Sequence, residues 1–223
     1  MDKLSTYEHL GILVPGSVLL FGLTLLSEGI RSVIAPNGIE LGGFGVFVIV
    51  AYACGHLLAA IGRLPERLVW SCLGGLPSEW VVRDEPKIVN EEQIIRIADQ
   101  LRSRYSLQDI PPLRGMTPKA WAPLWALLYR DVLTAAPGRV PSFNASYGVT
   151  RGLTSAFLVL AATTALMSCD DWEIVVALFG AATLSTYRMY RFGVHFAAEA
   201  YTQFLLLPSS KGEGMKGDES RDF

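Results

Sequence analysis

Leu41-Gly-Gly-Phe-Gly-Val-Phe-Val-Ile-Val50-Ala-Tyr-Ala-Cys-Gly-His56-Leu-Leu-Ala-Ala-Ile-Gly62 runs for 22 residues between Glu40 and Arg63 without an Asp, Glu, Lys or Arg. A helix crosses about 30 Å of hydrocarbon in roughly 20 apolar residues, so this stretch reads as a membrane span. Three further stretches resemble it. Nineteen uncharged residues separate Glu8 from Glu28, and 18 separate Arg151 from Asp170. The fourth is shorter, with 14 between Glu173 and Arg188. Trp172 at one end and Tyr187, Arg188, Tyr190 and Arg191 at the other extend it, because aromatic rings settle at headgroup level and arginine side chains snorkel there.

The reading is an all-α membrane protein with four transmembrane helices and a mainly helical cytoplasmic insert between the second and third. Residues 1–63 hold the first two spans, at about 9–27 and 41–62. The insert is 64–150, and 151–191 holds the other spans, at about 152–169 and 172–190. A cytoplasmic amphipathic helix (192–208) and a disordered tail (209–223) follow. Composition agrees, at 51% hydrophobic and 18% charged, outside the soluble average. A signal peptide is the competing account of the first stretch. Asp2, Lys3 and Glu8 do not make a positive n-region, and the small-residue cleavage candidate Ala35 precedes Pro36.

Orientation follows from the basic residues. Of 19 Lys and Arg, Arg31 alone falls in a segment that is external when the N-terminus is inside. Lys3, Arg63, Arg67, Arg139, Arg151, Arg188 and Arg191 flank the spans on the other side. The outer loops carry Glu28, Glu40, Asp170, Asp171 and Glu173. By the positive-inside rule both termini are cytoplasmic. The expected location is the cell inner membrane, multi-pass.

Within the insert, Leu64 to Trp80 mixes apolar residues with Arg67 and reads as lying along the membrane surface. Asn90-Glu-Glu-Gln93 has the form of a capping box. Ile94, Ala98, Leu101 and Tyr105 follow at helical spacing. A second helical pattern joins Trp121, Leu124, Trp125, Leu128, Val132 and Ala135, with its regular part expected to start near Pro123. That helix is either the core of a small helical domain or an interfacial helix in the headgroups. Pro137 to Pro141 and Asn144-Ala-Ser146 read as a loop returning to the third span. Phe192, Phe196, Ala200, Phe204 and Leu207 continue the fourth span inward as an amphipathic helix.

Chemistry-bearing residues are few. His56 is an ionisable group inside a span, which makes it a functional candidate by default. It lies two turns from Arg63, where a neutral imidazole can instead bond Ser155 or Ser185 on a neighbouring span. Ala51, Gly55 and Ala59 repeat every fourth residue on the second span, and Ala177, Ala181 and Ser185 do so on the fourth. Small residues at that spacing let helices approach closely, within one chain or between subunits. Pro15-Gly16 marks a kink in the first span. Arg96, Arg102 and Arg104 are candidates for an anion or lipid headgroup, although Glu91, Glu92 and Asp99 interleave with them.

Cys54, Cys72 and Cys169 form no CxxC pair, and His9, His56 and His195 share no ligand spacing, so neither a disulfide framework nor a metal is expected. No GxSxG elbow or HExxH occurs, and Gly212 to Asp218 lacks the P-loop order. A net charge of −2 gives no argument for nucleic acid. No cofactor is expected, and the expected role is non-enzymatic.

Tyr7-x-x-Leu10 followed by Pro15-Gly16, then Tyr52 to Gly55-His56, resembles a diffuse set of uncharacterised small bacterial membrane proteins. The resemblance implies a bacterial inner-membrane location. For some members it implies an accessory or effector role in conflict and defence systems, and it carries over no functional residue. The function expected is a membrane anchor, sensor or effector. Its partners are the lipid bilayer, further copies of the chain, and a cytoplasmic protein or small-molecule signal bound by the insert. The alternatives are a small channel or transporter and, behind it, a lipid-active membrane enzyme.

Overall fold

The computed structural model describes residues 3–34, 41–84, 87–107, 110–135, 138–167 and 170–208. Among them the chain is helical and has no strand. In order come α1 (Lys3–Leu26), α2 (Glu28–Ile34), α3 (Leu41–Ile61), α4 (Arg63–Cys72), a 3-10 turn (Pro77–Val82), α5 (Glu91–Tyr105), α6 (Pro118–Ala135), α7 (Arg139–Met167) and α8 (Trp172–Leu206). Two stretches, Gly43–Val82 and Arg139–Met167, are long and apolar enough to cross a membrane, and Gly11–Leu26 is apolar but shorter. The 209–223 tail and Cys169 lie outside the described residues.

The chain divides into two compact units. The first comprises residues 1–74 and 142–193, the second Gly75–Pro141 and Val194 onward. The segment 64–150 is thus shared. Its two ends group with the apolar helices, and its middle builds the second unit with the end of α8.

In the first unit, α1 packs against α3 and α7. Close approach to α3 requires glycine on both sides. A Cβ on Gly16 would lie 1.8 Å from the Ala51 carbonyl oxygen, and one on Gly55 2.1 Å from that of Ile12. Pro15 leaves α1 unbroken and sets its ring against Gly152 of α7. Leu19, Leu58, Ala156 and Leu160 fill the space among α1, α3 and α7. The segment after Ser27 forms α2, whose Ile30 amide donates to the Ser27 hydroxyl (3.4 Å).

The second unit has its own core: Ile94, Ile97 and Leu101 of α5, Trp121, Leu128 and Val132 of α6, and Tyr201 and Phe204 of α8. Asn90 caps α5 as its spacing foretold. Its Oδ1 accepts the Gln93 amide at 2.9 Å, and Gln93 Oε1 accepts the Asn90 amide at 2.9 Å. Burial of Trp121, Leu128 and Val132 makes α6 a core helix of this unit rather than a headgroup helix.

Two helix starts differ from the sequence expectation. Helix α6 begins at Pro118, capped by the Thr117 hydroxyl on the Ala120 amide (3.3 Å), and Pro123 sits inside it. The carbonyl that Pro123 leaves without its usual donor belongs to Lys119, which is exposed and reachable by water. Helix α7 begins at Arg139 instead of forming a loop through Asn144 to Ser146. Pro141 falls in its first turn, where no amide donor is needed.

Candidate functional site

Helix α4 is short, and its two faces do different things. Pro65 sits in its first turn, the one place where a helix tolerates proline without loss. Glu66 and Trp70, one turn apart, face the protein. Leu64 and Leu68, also one turn apart, face outward at 67% and 68% exposure. Arg63 and Arg67 are exposed beside them.

The inward face carries the most elaborate polar network of the first unit. Trp70 Nε1 donates to the Tyr147 hydroxyl at 2.8 Å. That hydroxyl donates in turn to Glu66 Oε1. Arg151 Nη1 donates to Glu66 Oε2 at 2.9 Å. Burial, reinforced by the hydrogen bond to Glu66, pushes the Tyr147 phenol well above its ordinary range, so it keeps its proton and serves as a donor. The Trp70 ring lies between those of Tyr147 and Tyr190, with centroids at 6.4 and 5.8 Å. Gly193 admits it, since a Cβ there would stand 2.8 Å from Trp70 Cζ2. The network therefore fastens α4 to α7 and α8. Chemically it is a satisfied carboxylate with a bound cation, and it contains no paired nucleophile and base. No group of His, Cys, Asp and Glu suited to a metal occurs among the described residues.

His56 lies on an exposed face of α3, with its ring edge-on to Tyr52 at 4.7 Å and 82°. Tyr52 in turn stacks near His9 at 6.2 Å. The Ser155 hydroxyl, one of the two partners considered for His56, donates to the Arg151 carbonyl of its own helix (3.1 Å). The other, Ser185, is buried on α8. Ala51 and Gly55 meet α1, and Ala59 is half-buried. On α8, Ala177 is exposed and Ala181 half-buried. Of the row on α3, Ala51 and Gly55 thus serve the close approach of α1 at Gly16 and Ile12.

The three candidate arginines of α5 all have carboxylate partners. Arg96 pairs with Glu92 at 2.6 Å, Arg102 with Asp99 at 3.0 Å and Arg104 with Asp131 at 3.4 Å. Arg102 and Arg104 also donate to the carbonyls of Ile110 and Pro208, tying a loop and the segment after α8 to the helix. Elsewhere in this unit Arg114, Arg130 and Arg139 also lie within ion-pair reach of acids. The first unit contrasts with this. Arg63, Arg67, Arg188 and Arg191 are exposed, and none has an acidic partner among the described residues. Sequence reading used these four for orientation and passed over them as ligands. Their excess over nearby acids was the available signal.

One groove of 480 Å³ opens on the second unit beside Leu107, Ile110, Pro111, Met116, Pro123 and Leu124. It is largely apolar. No protein-family model, curated protein or solved structure matches the chain.

Proposed function

We propose that the protein is a non-enzymatic integral membrane component: a four-span anchor in the inner membrane whose second unit is a cytoplasmic binding module. One observation carries the reading. Among the described residues, only Leu76, Ile95 and Leu206 of the exposed large hydrophobic side chains belong to the second unit. The rest, including Phe21, Leu25, Phe44, Ile49, Leu57, Leu166, Val176, Phe179 and Leu184, cover the first. Only 17% of the most apolar window of Gly43–Val82 is buried within the protein. Monomeric proteins in water rarely leave so continuous an apolar surface uncovered, whereas a hydrocarbon solvent favours it.

Exposed Trp172 at the start of α8 and Tyr187 and Arg188 midway along it suit headgroup-level anchors at the two ends of the fourth span. The second unit has a complete core and an apolar groove, which suits a protein or small-molecule signal as its ligand. The uncovered apolar surface of α3 also suits self-association.

Alkaline carbonate extraction of membranes tests the anchor: the full-length chain stays in the pellet if the reading is right and appears in the supernatant if it is wrong. Maleimide labelling of exposed Cys72 tests orientation. Modification from the cytoplasmic side alone is expected, and modification from outside alone overturns the assigned topology.

A further inference from the structure

We propose that the outward face of α4 is a docking surface for anionic phospholipid headgroups, with Arg63 and Arg67 as the phosphate ligands. The inference rests on the reading of the first unit as membrane-embedded. Four observations lead to it.

The exposed apolar row of α3 does not stop where α3 stops. Leu57 and Ile61 are followed by Leu64 and Leu68, at spacings of four, three and four residues, and all four are exposed. The lipid-facing surface thus continues onto α4.

The character of the flanks changes at the same point. Helix α3 has no charged residue between Leu41 and Ile61, whereas α4 places Arg63 and Arg67 beside its leucines. Exposed leucines disfavour water and exposed guanidinium groups disfavour hydrocarbon. The boundary between the two accommodates both, with the leucines dipping and the arginines reaching phosphate.

The acid that would otherwise neutralise this face is engaged elsewhere. Glu66, the one carboxylate of α4, turns inward and accepts from Tyr147 and Arg151. The outward face therefore carries two cations and no anion. Arg188 and Arg191, likewise without acidic partners among the described residues, belong to α8, whose Tyr190 packs on Trp70 of α4.

Finally, the arginines stand on an open helix face beside apolar side chains. That arrangement suits a headgroup whose acyl chains cover the leucines better than it suits a free anion.

The test uses the full-length protein purified in a neutral detergent and titrated with phosphatidylglycerol, phosphatidylcholine or inorganic phosphate. Phosphatidylglycerol is expected to bind, in a manner weakened by salt, while the other two do not. Each arginine near an anionic surface contributes about five-fold, so Arg63→Gln with Arg67→Gln should weaken phosphatidylglycerol binding roughly thirty-fold. Arg96→Gln with Lys119→Gln, both exposed on the second unit, should leave it unchanged. Both pairs are surface substitutions, and an unaltered melting temperature confirms that they fold. Equal binding of the two lipids, undiminished binding by the Arg63/Arg67 variant, or competition by millimolar phosphate overturns the proposal. If carbonate releases the chain from membranes, the bilayer reading itself falls. If the chain stays in the membrane and shows no anionic preference, this inference alone falls.

Discussion

Gly16 of α1 and Ala51 of α3 touch backbone to backbone, so closely that a single added carbon on Gly16 would overlap the Ala51 carbonyl oxygen at 1.8 Å. In the proposed membrane setting the hydrophobic effect does not hold helices together, and contact of this kind takes its place. Leu20 and Ala51 are buried along the same seam.

Gly16→Ala should therefore destabilise the first unit by about 1–3 kcal/mol, the range for overpacking a tight contact. Gly45→Ala is the control, since nothing lies within 4 Å of its Cβ position. Added helix propensity should leave that variant unchanged or slightly more stable. Unfolding by SDS in mixed micelles reads the difference. Equal midpoints for the two variants would show that the seam is loose.

Alkaline pH should expose the buried phenol of the second unit. Burial raises the pKa of Tyr201 well above its ordinary 10.0, while its hydroxyl donates to the Ser78 carbonyl at 2.6 Å. The folded state thus holds the proton more tightly than the unfolded chain does. The resulting stability is complete below pH 10 and is lost as pH rises from there toward the raised folded value. The slope is about 1.4 kcal/mol per pH unit. Tyr201→Phe should flatten this part of the pH profile. At neutral pH it should lose only about 1 kcal/mol, because Trp121 Nε1 still donates to the same carbonyl. Urea unfolding between pH 8 and 11, comparing the two proteins, checks it. Parallel profiles would place Tyr201 in contact with solvent.

What sequence could reveal here was local. Asn90 and Gln93 are three residues apart, so their reciprocal bonds follow from spacing, as does the buried row of Ile94, Ala98 and Leu101. The second helix face, through Trp121, Leu128 and Val132, was legible for the same reason, although its capping by Thr117 was missed behind Pro123. Small residues at every fourth position showed that α3 could be approached closely but not by which helix. The network of α4 was invisible, because Glu66 meets Tyr147 and Arg151 across 81 and 85 residues. No periodicity joins residues so distant. Only the packing of α4 on α7 does.

The cap itself gives a local test. Replacing Asn90 by Ala removes the acceptor for the Gln93 amide and leaves only the backbone bond from residue 90 to Gln93 Oε1. A loss of about 1 kcal/mol from the second unit is expected. Asn90→Asp should restore most of it, since a carboxylate accepts the same amide and favours the helix N-terminus. Urea midpoints of the three proteins at pH 7 decide the matter. No loss in the Ala variant would mean that water replaces the cap without penalty.

The ion pair of Glu66 and Arg151 should prove worth more broken than it is worth formed. Both side chains are partly shielded, at 16% and 25% exposure. Removing one partner from a fully buried pair costs roughly 3–5 kcal/mol, and solvent at this site should reduce that to about 1–3 kcal/mol. Arg151→Met leaves Glu66 with the Tyr147 hydroxyl as its remaining donor. Glu66→Gln leaves the guanidinium uncompensated at the edge of the apolar helices. The double variant removes both charges together, so its loss should be smaller than the sum of the two single losses, with a coupling of at least 0.5 kcal/mol. A thermal denaturation series in detergent, run as a double-mutant cycle, measures it. Strict additivity would mean that the two charges act independently and that their pairing does not hold α4 to α7. Tyr147→Phe separates these contributions, because it keeps the aromatic contact while removing the hydroxyl that links Trp70 to Glu66.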